Sequence, residues 1–222
     1  EGMEGGGEGL VAMVGSILCN KVWLCAVLGY GAFTFVIGAF AVWGPSYVQS
    51  QFGAPLDEAD LYFGATAVLT GLLGTAAGGM LMDVVTRKFG GDVQSSSLLV
   101  TVLLTLAAWP FCVATFCLPS GINSFFALIF IGQFLAFATT SPLNGVILWS
   151  VEPHQRVLSM ALAVVGMHLL GDVPSPVIVG AMLENLSNKS LTMTATALWL
   201  GWCVVLWGVA FGLARRRARR LE

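Results

Sequence analysis

Charged and strongly polar residues in this chain are gathered into short islands. Between the islands the sequence stays apolar for about 20 residues at a time, the length a helix needs to cross a hydrocarbon layer. Six such runs predict six helices: Val22–Trp43, Leu61–Met82, Ser97–Leu118, Ser124–Val151, Val157–Leu183 and Leu191–Ala214. The islands carry turn chemistry, as in "GPSYVQSQFGAPLDEAD", "DVVTRKFGGDVQS", "LPSGIN", "VEPHQR" and "ENLSNKS". Asp57, Glu58 and Asp60 precede the second run, where acidic groups suit a helix N-terminus.

Composition supports a membrane assignment. The chain is 57% hydrophobic and 10% charged, against about 25% charged for a soluble domain. The cations set a topology. With the first residues cytoplasmic, Lys21, Arg87, Lys88, Arg156 and the arginines of "RRRARR" all fall inside, and only Lys189 falls outside. The reading is an integral multi-pass protein with both ends cytoplasmic. Residues 1–19, opening on "EGMEGGGEG", read as a flexible cytoplasmic linker, residues 20–214 as a six-helix domain and residues 215–222 as a basic cytoplasmic tail. The tail reads as a topology anchor or as a specific lipid site. A first residue that is Glu rather than Met suggests a piece of something longer.

Cys19, Cys25, Cys112, Cys117 and Cys203 lie in or beside apolar runs, without metal-ligand spacing, and read as packing residues. Gly64, Gly71, Gly74, Gly78 and Gly79 recur along the second run, at spacings that let helix backbones approach closely. The sequons at Asn185 and Asn188 fall in a non-cytoplasmic loop close to the bilayer.

Polar groups inside the spans are costly and so carry information. Gln133, Phe137, Thr140 and Asn144 recur at helical spacing on one face of the fourth span, and Pro142 among them frees the carbonyl of Ala138. That face is either an interhelical hydrogen-bonding surface or a substrate-facing wall. Tyr30 and Thr34 share a face of the first span. In the fifth span, "HLLGDVPSP" places His168 and Asp172 one turn apart. Asp172 is about 24 Å along a helix from Arg156 and about 18 Å from Glu184, deep in a hydrocarbon core of about 30 Å. A histidine there can hold the carboxylate ionised and share a proton, as in a relay or a cation site. A local account also fits: Gly171 ends one helix, Asp172 caps the next through Ser175, and Pro174 and Pro176 mark the break. The two readings are compatible, because transporters build sites at broken helices. No enzyme motif, metal set, cofactor signature or nucleic-acid-binding pattern is present in the sequence, and His154 reads as a solvated loop residue.

Between the second and third spans, "GGMLMDVVTRK" resembles the G-x-x-x-D-R-x-G-R-R loop of major facilitator transporters. Gly79, Asp83, Arg87 and Lys88 match, while Val84 and Thr86 depart from it. Such a degraded copy is usual between helices eight and nine. The stretches "NKVWLCAVLGYGAFTFVIGAFAVWGP", "FGATAVLTGLLGTAAGGMLMD", "FATTSPLN" and "LSMALAVVGMHLLGDVPSPVIVG" resemble the spinster-type sphingolipid and lysolipid transporters, especially the plant and algal branch. The resemblance implies an all-α membrane fold whose six spans are helices seven to twelve, as two inverted three-helix repeats. It also implies a missing N-terminal six-helix half as partner, a lipid substrate, and alternating access linked to protons or ions. Helices seven and ten would face the cavity, and eight and eleven would form the seam. Asp83, Arg87 and Lys88 would act as a conformational latch, and the membrane would be endolysosomal or plasma. The family commonly has Gly-Glu in helix ten where this chain has Gly132-Gln133, so proton coupling there is in doubt. Besides this reading stands a self-contained six-span homodimeric transporter or channel; an intramembrane enzyme has no motif behind it.

Overall fold

The computed structural model describes residues 5–88, 92–118, 121–186 and 188–218. All regular structure among them is helical, and six helical stretches are long and apolar enough to cross a membrane. A short helix α1 (Gly5–Leu18) leads into α2 (Lys21–Phe52), the first span, followed by α3 (Leu56–Lys88) and α4 (Val93–Cys117). The fourth span is α5 (Ile122–Phe137) continued by α6 (Thr140–Trp149). The fifth is α7 (Arg156–Met167), a π-helical turn His168–Asp172, and α8 (Ser175–Asn185). The sixth is α9 (Lys189–Leu198) with α10 (Gly201–Ala218).

Each predicted run is a span, and each begins earlier than the uncharged stretch; all except the third and fourth also end later. Polar caps extend them: Asn20 accepts from the amides of Val22 and Trp23, Asp92 from Ser95, and Asn188 from Leu191. The chain leaves α2 at Gly53, whose φ of 70° places it in the left-handed region. The flexible-linker reading of residues 1–19 is corrected in part. Gly5–Leu18 is helical, because the apolar run after the glycines can dock, and Ile17 is fully buried in the core. Residues 1–4, Phe89 to Gly91, Pro119, Ser120, Ser187 and the end of the basic tail, including Arg219 and Arg220, lie outside the described residues.

Two tight regions hold the bundle. Toward one end, Phe40, Tyr47, Phe116, Phe125 and Phe126 interlock from α2, α4 and α5, with ring centroids 5.0 Å apart for Phe40–Phe116 and 5.4 Å for Phe125–Phe126. Nearer the other, Trp23 donates to Ser159 at 2.8 Å and Trp207 to the carbonyl of Ala26 at 3.1 Å. Lipid offers backbone groups no hydrogen bonds, so such partners inside the protein matter more than in a soluble core. The six stretches are not equally enclosed. Half of the most apolar window of α2 is buried, against 17% for α3 and 17% for the fifth span. Leu61, Val68 and Leu72 on α3 and Val165, Leu169 and Val173 on the fifth span are more than half exposed, which leaves two apolar faces for lipid or protein.

Candidate functional site

The site is a cleft of ≈ 260 Å³ between α2, the α5–α6 junction and the π turn. Tyr30, Phe33, Thr34 and Gly38 of α2 line one side, Phe137 and Thr140 another, and Met167 with Asp172 a third. Phe33 bridges the walls, tilted against Tyr30 at 6.0 Å and edge-on to Phe137 at 6.1 Å. Tyr30 makes no side-chain hydrogen bond among the described residues, and its ring forms part of the wall. The surface is mostly apolar with a few polar groups converging on it, the usual make-up of a small-molecule site.

Asp172 supplies the charge. Its Oδ2 accepts from His168 Nδ1 at 2.7 Å, across one turn of the fifth span. Its Oδ1 is buried without a hydrogen-bond partner, as is the hydroxyl of Ser175. The pair is not sealed, since the side chains of His168 and Asp172 are 50% and 37% exposed.

The local backbone departs from the expected break. Gly171 has no positive φ, and among the described residues only Gly53 does. Asp172 caps nothing: α8 begins after Pro174, with no side-chain capping bond. Instead the helix passes through His168–Asp172 as a π turn, in which the amide of Val173 donates to the carbonyl of His168 at 3.1 Å. The reason is contact with α2. A Cβ on Gly171 would strike Thr34 Oγ1 and lie 2.6 Å from the carbonyl oxygen of Gly31. One on Gly38 would lie 2.8 Å from Asp172 Cβ. Gly171 is a crossing point, with neither a terminator's conformation nor its role. Thr34 Oγ1 donates to the carbonyl of Met167 at 2.8 Å, tying the start of the π turn to α2. Such turns recur at functional sites because they re-aim side chains without ending the helix.

The polar stripe of the fourth span is divided. Phe137 and Thr140 reach the cleft. Gln133 is buried against α3, where Thr70 donates to its Oε1 at 3.4 Å. Asn144 is half-buried and does not line the cleft. The stripe presumes one continuous helix, but the backbone turns at Ala138 and Thr139. The carbonyl of Ala138, which Pro142 deprives of its usual donor, packs against Gly78 so closely that a Cβ there would overlap it. Gly74 likewise meets the backbone of Phe134, whereas Gly64 and Gly71 have open space. Only part of the glycine pattern therefore serves packing within this chain. Thr140 also shares a hydrogen bond with Thr75 of α3 at 2.9 Å.

In the α3–α4 region, Gly79 packs near Ser141, and Arg87 Nε donates to the carbonyl of Asp83 at 3.2 Å. Asp83, Arg87 and Lys88 are exposed and form no ion pair among the described residues. No group of three or more metal-ligating side chains occurs among the described residues.

Six apolar spans, with a cleft at one flank and two uncovered faces, define an all-α membrane bundle. The Organic Anion Transporter Polypeptide (OATP) family model matches residues 6–123 and 117–187; the chain belongs to this transporter family, and its relatives are spinster-type. It is 33% identical over 197 residues to the probable sphingolipid transporter spinster homolog 2 of Arabidopsis thaliana, covering 89% of this chain and 39% of the relative. It is 36% identical to spinster homolog 3 of the same plant, over 81% of this chain and 35% of the relative. With the sphingosine-1-phosphate transporter SPNS2 of Danio rerio it shares 28% identity, over 84% of this chain and 39% of the relative. The chain thus spans well under half the length of these curated relatives. The crystal structure of a bacterial homolog to the human lysosomal transporter Spinster, inward-facing and unoccupied, matches with a TM-score of 0.69 at 16% identity, over 88% of this chain and 48% of that one. The relatives are named as transporters, and the plant-like branch read from the sequence agrees with them. The six spans correspond to the C-terminal half of that fold.

Proposed function

We propose that the chain is the C-terminal half of a lipid transporter, working by alternating access with an N-terminal six-helix half across the uncovered faces of α3 and the fifth span. The cargo is a sphingolipid or lysophospholipid, in keeping with the names of the relatives. Its head group sits in the cleft and its tail reaches lipid through a lateral gap. Both ends of the chain face the cytoplasm, and the protein resides in an endolysosomal or plasma membrane. Asp83, Arg87 and Lys88 latch the two halves in one conformation, which accounts for charges that find no ion pair among the described residues.

The observation that carries the reading is the His168–Asp172 pair, hydrogen-bonded at 2.7 Å beside a largely apolar cleft. A carboxylate with one oxygen buried and unpartnered lacks full hydrogen bonding in its ionised form. It can gain from a proton, a cation or a polar group arriving in the cleft. Gln133 takes up no proton, so the coupling function falls to Asp172 with His168. The cleft alone is smaller than ligand pockets of about 300–1,000 Å³, as expected if the second half supplies the facing wall. The test is flux of labelled sphingoid phosphate and lysophospholipid in vesicles containing the full-length protein. Flux of at least one lipid is expected, responding to pH between about 5 and 8, with the response removed by Asp172→Asn at unchanged expression. Absence of flux for every lipid overturns the transport reading; an unchanged pH response in Asp172→Asn overturns the coupling reading alone.

A further inference from the structure

A second cavity, of ≈ 410 Å³, lies where α1 meets α2, against the last turns of α10. It shares no residue with the cleft. Two cations from opposite ends of the sequence enter its lining: Lys21, the first residue of α2, and Arg217, in the last turn of α10. Neither forms an ion pair among the described residues. The neutral polar groups around them are already engaged. Asn20 caps α2 with its oxygen and donates to the carbonyl of Ser150, and Ser16 donates to Met13 while accepting from Gln155. Apart from the Cys19 thiol, the unengaged side-chain donors are therefore the two cations, reinforced by the positive end of the α2 dipole, which itself disfavours Lys21 unless an anion is near. Val22 and Leu213 make the remaining wall apolar.

We propose that this cavity binds the phosphate-bearing head group of an acidic phospholipid in the adjoining leaflet. The charge calls for an anion. Its position at the ends of two spans, with an apolar wall on the membrane side, selects a lipid over a soluble anion, because each cation near a charged membrane surface contributes to holding it. Arg215 is turned toward the ring of Phe211, 5.6 Å from its centroid, and leaves this task to Arg217. The site is independent of the transport cycle proposed above.

Cys19 lines the same cavity and is exposed, so its alkylation reports occupancy. Cys117, exposed at the far end of α4, is the reference. The full-length protein is reconstituted in phosphatidylcholine vesicles, in vesicles that also contain phosphatidylinositol bisphosphate, and in phosphatidylcholine with inorganic phosphate in the buffer. Each is treated with N-ethylmaleimide, and the Cys19 and Cys117 peptides are followed by mass spectrometry. The acidic lipid is expected to slow alkylation of Cys19 several-fold relative to Cys117. Lys21→Gln and Arg217→Gln should each weaken the lipid's apparent affinity roughly five-fold. Cys112 and Cys203, both fully buried, report by their continued protection that the variants are folded. Equal rates in all vesicles overturn the proposal. So does slowing that survives both substitutions, which is a surface-potential effect, or equal protection by inorganic phosphate, which makes the site one for a soluble anion.

Discussion

Gly171 and His168 sit three residues apart in the π turn, yet their substitution should fail in different ways. At Gly171 a methyl group would meet Thr34 Oγ1 and the backbone of Gly31 and Phe35, and the backbone atoms cannot swing aside. Gly171→Ala is therefore expected to cost about 1–3 kcal/mol through overpacking, read as a lower midpoint in thermal unfolding of the purified protein. An unshifted midpoint would show that α2 and the fifth span are not locked at this crossing. His168 is half-exposed and packs little. His168→Leu should leave the unfolding midpoint nearly unchanged while flattening the pH response of flux, because Asp172 then loses its hydrogen-bond donor. A normal pH profile in that variant would place the coupling elsewhere.

The π turn is the element that sets the geometry of the pair. Its extra residue offsets α7 from α8, and deleting Leu169 would allow the span to close as a regular α-helix. Each residue of an α-helix turns about 100°, so the deletion rotates α7 relative to α8; His168 stays an i, i+3 neighbour of Asp172, but α7 loses its register against α2, including the Thr34 bond to the carbonyl of Met167. Loss of pH-dependent flux with retained membrane insertion is the expected result, and the deletion is compared with one at exposed Val157, outside the turn. Equal behaviour of the two deletions would deny the turn a role. At this scale the sequence was informative but misleading in one respect. Gly-Asp-x-Pro reads as a stop and a restart, since glycine and proline commonly punctuate helices. The structure uses the same residues for close approach and a π turn. The stripe Gln133–Phe137–Thr140–Asn144 divides between its two readings: a turn at Ala138 and Thr139 sends Phe137 and Thr140 to the cleft, while Gln133 and Thr140 hydrogen-bond Thr70 and Thr75 of α3.

For the whole molecule the question is what covers α3 and the fifth span. Their exposed leucines and valines would suit lipid as well as protein, but polar and small groups facing outward suit protein better. Gly64 and Gly71 have nothing within 4 Å and so leave room for another helix to approach. The relatives are more than twice as long as the matched segment, which supplies a ready occupant. Cysteines placed at Gly71 and at facing positions of the N-terminal half are expected to cross-link in the full-length protein within one chain. Cross-linking between copies of this segment would instead favour the homodimeric arrangement.

The sequence by itself determined the number and order of the spans, their apolar character, the family likeness and the two residues of the His168–Asp172 pair. Those features follow from burial length, the cost of charge in hydrocarbon and local motif spacing, all of which act along the chain. Only the tertiary structure decided that Gln133 bonds Thr70, that Gly31, Gly38 and Gly171 mark one crossing, and that Tyr30, Thr140 and Asp172 share a cleft. These depend on which helix faces which, and in a uniformly apolar span the period of hydrophobic residues carries almost no information about facing. Close backbone contact and pairing of the few polar groups choose the faces instead, and both are settled between helices distant in sequence.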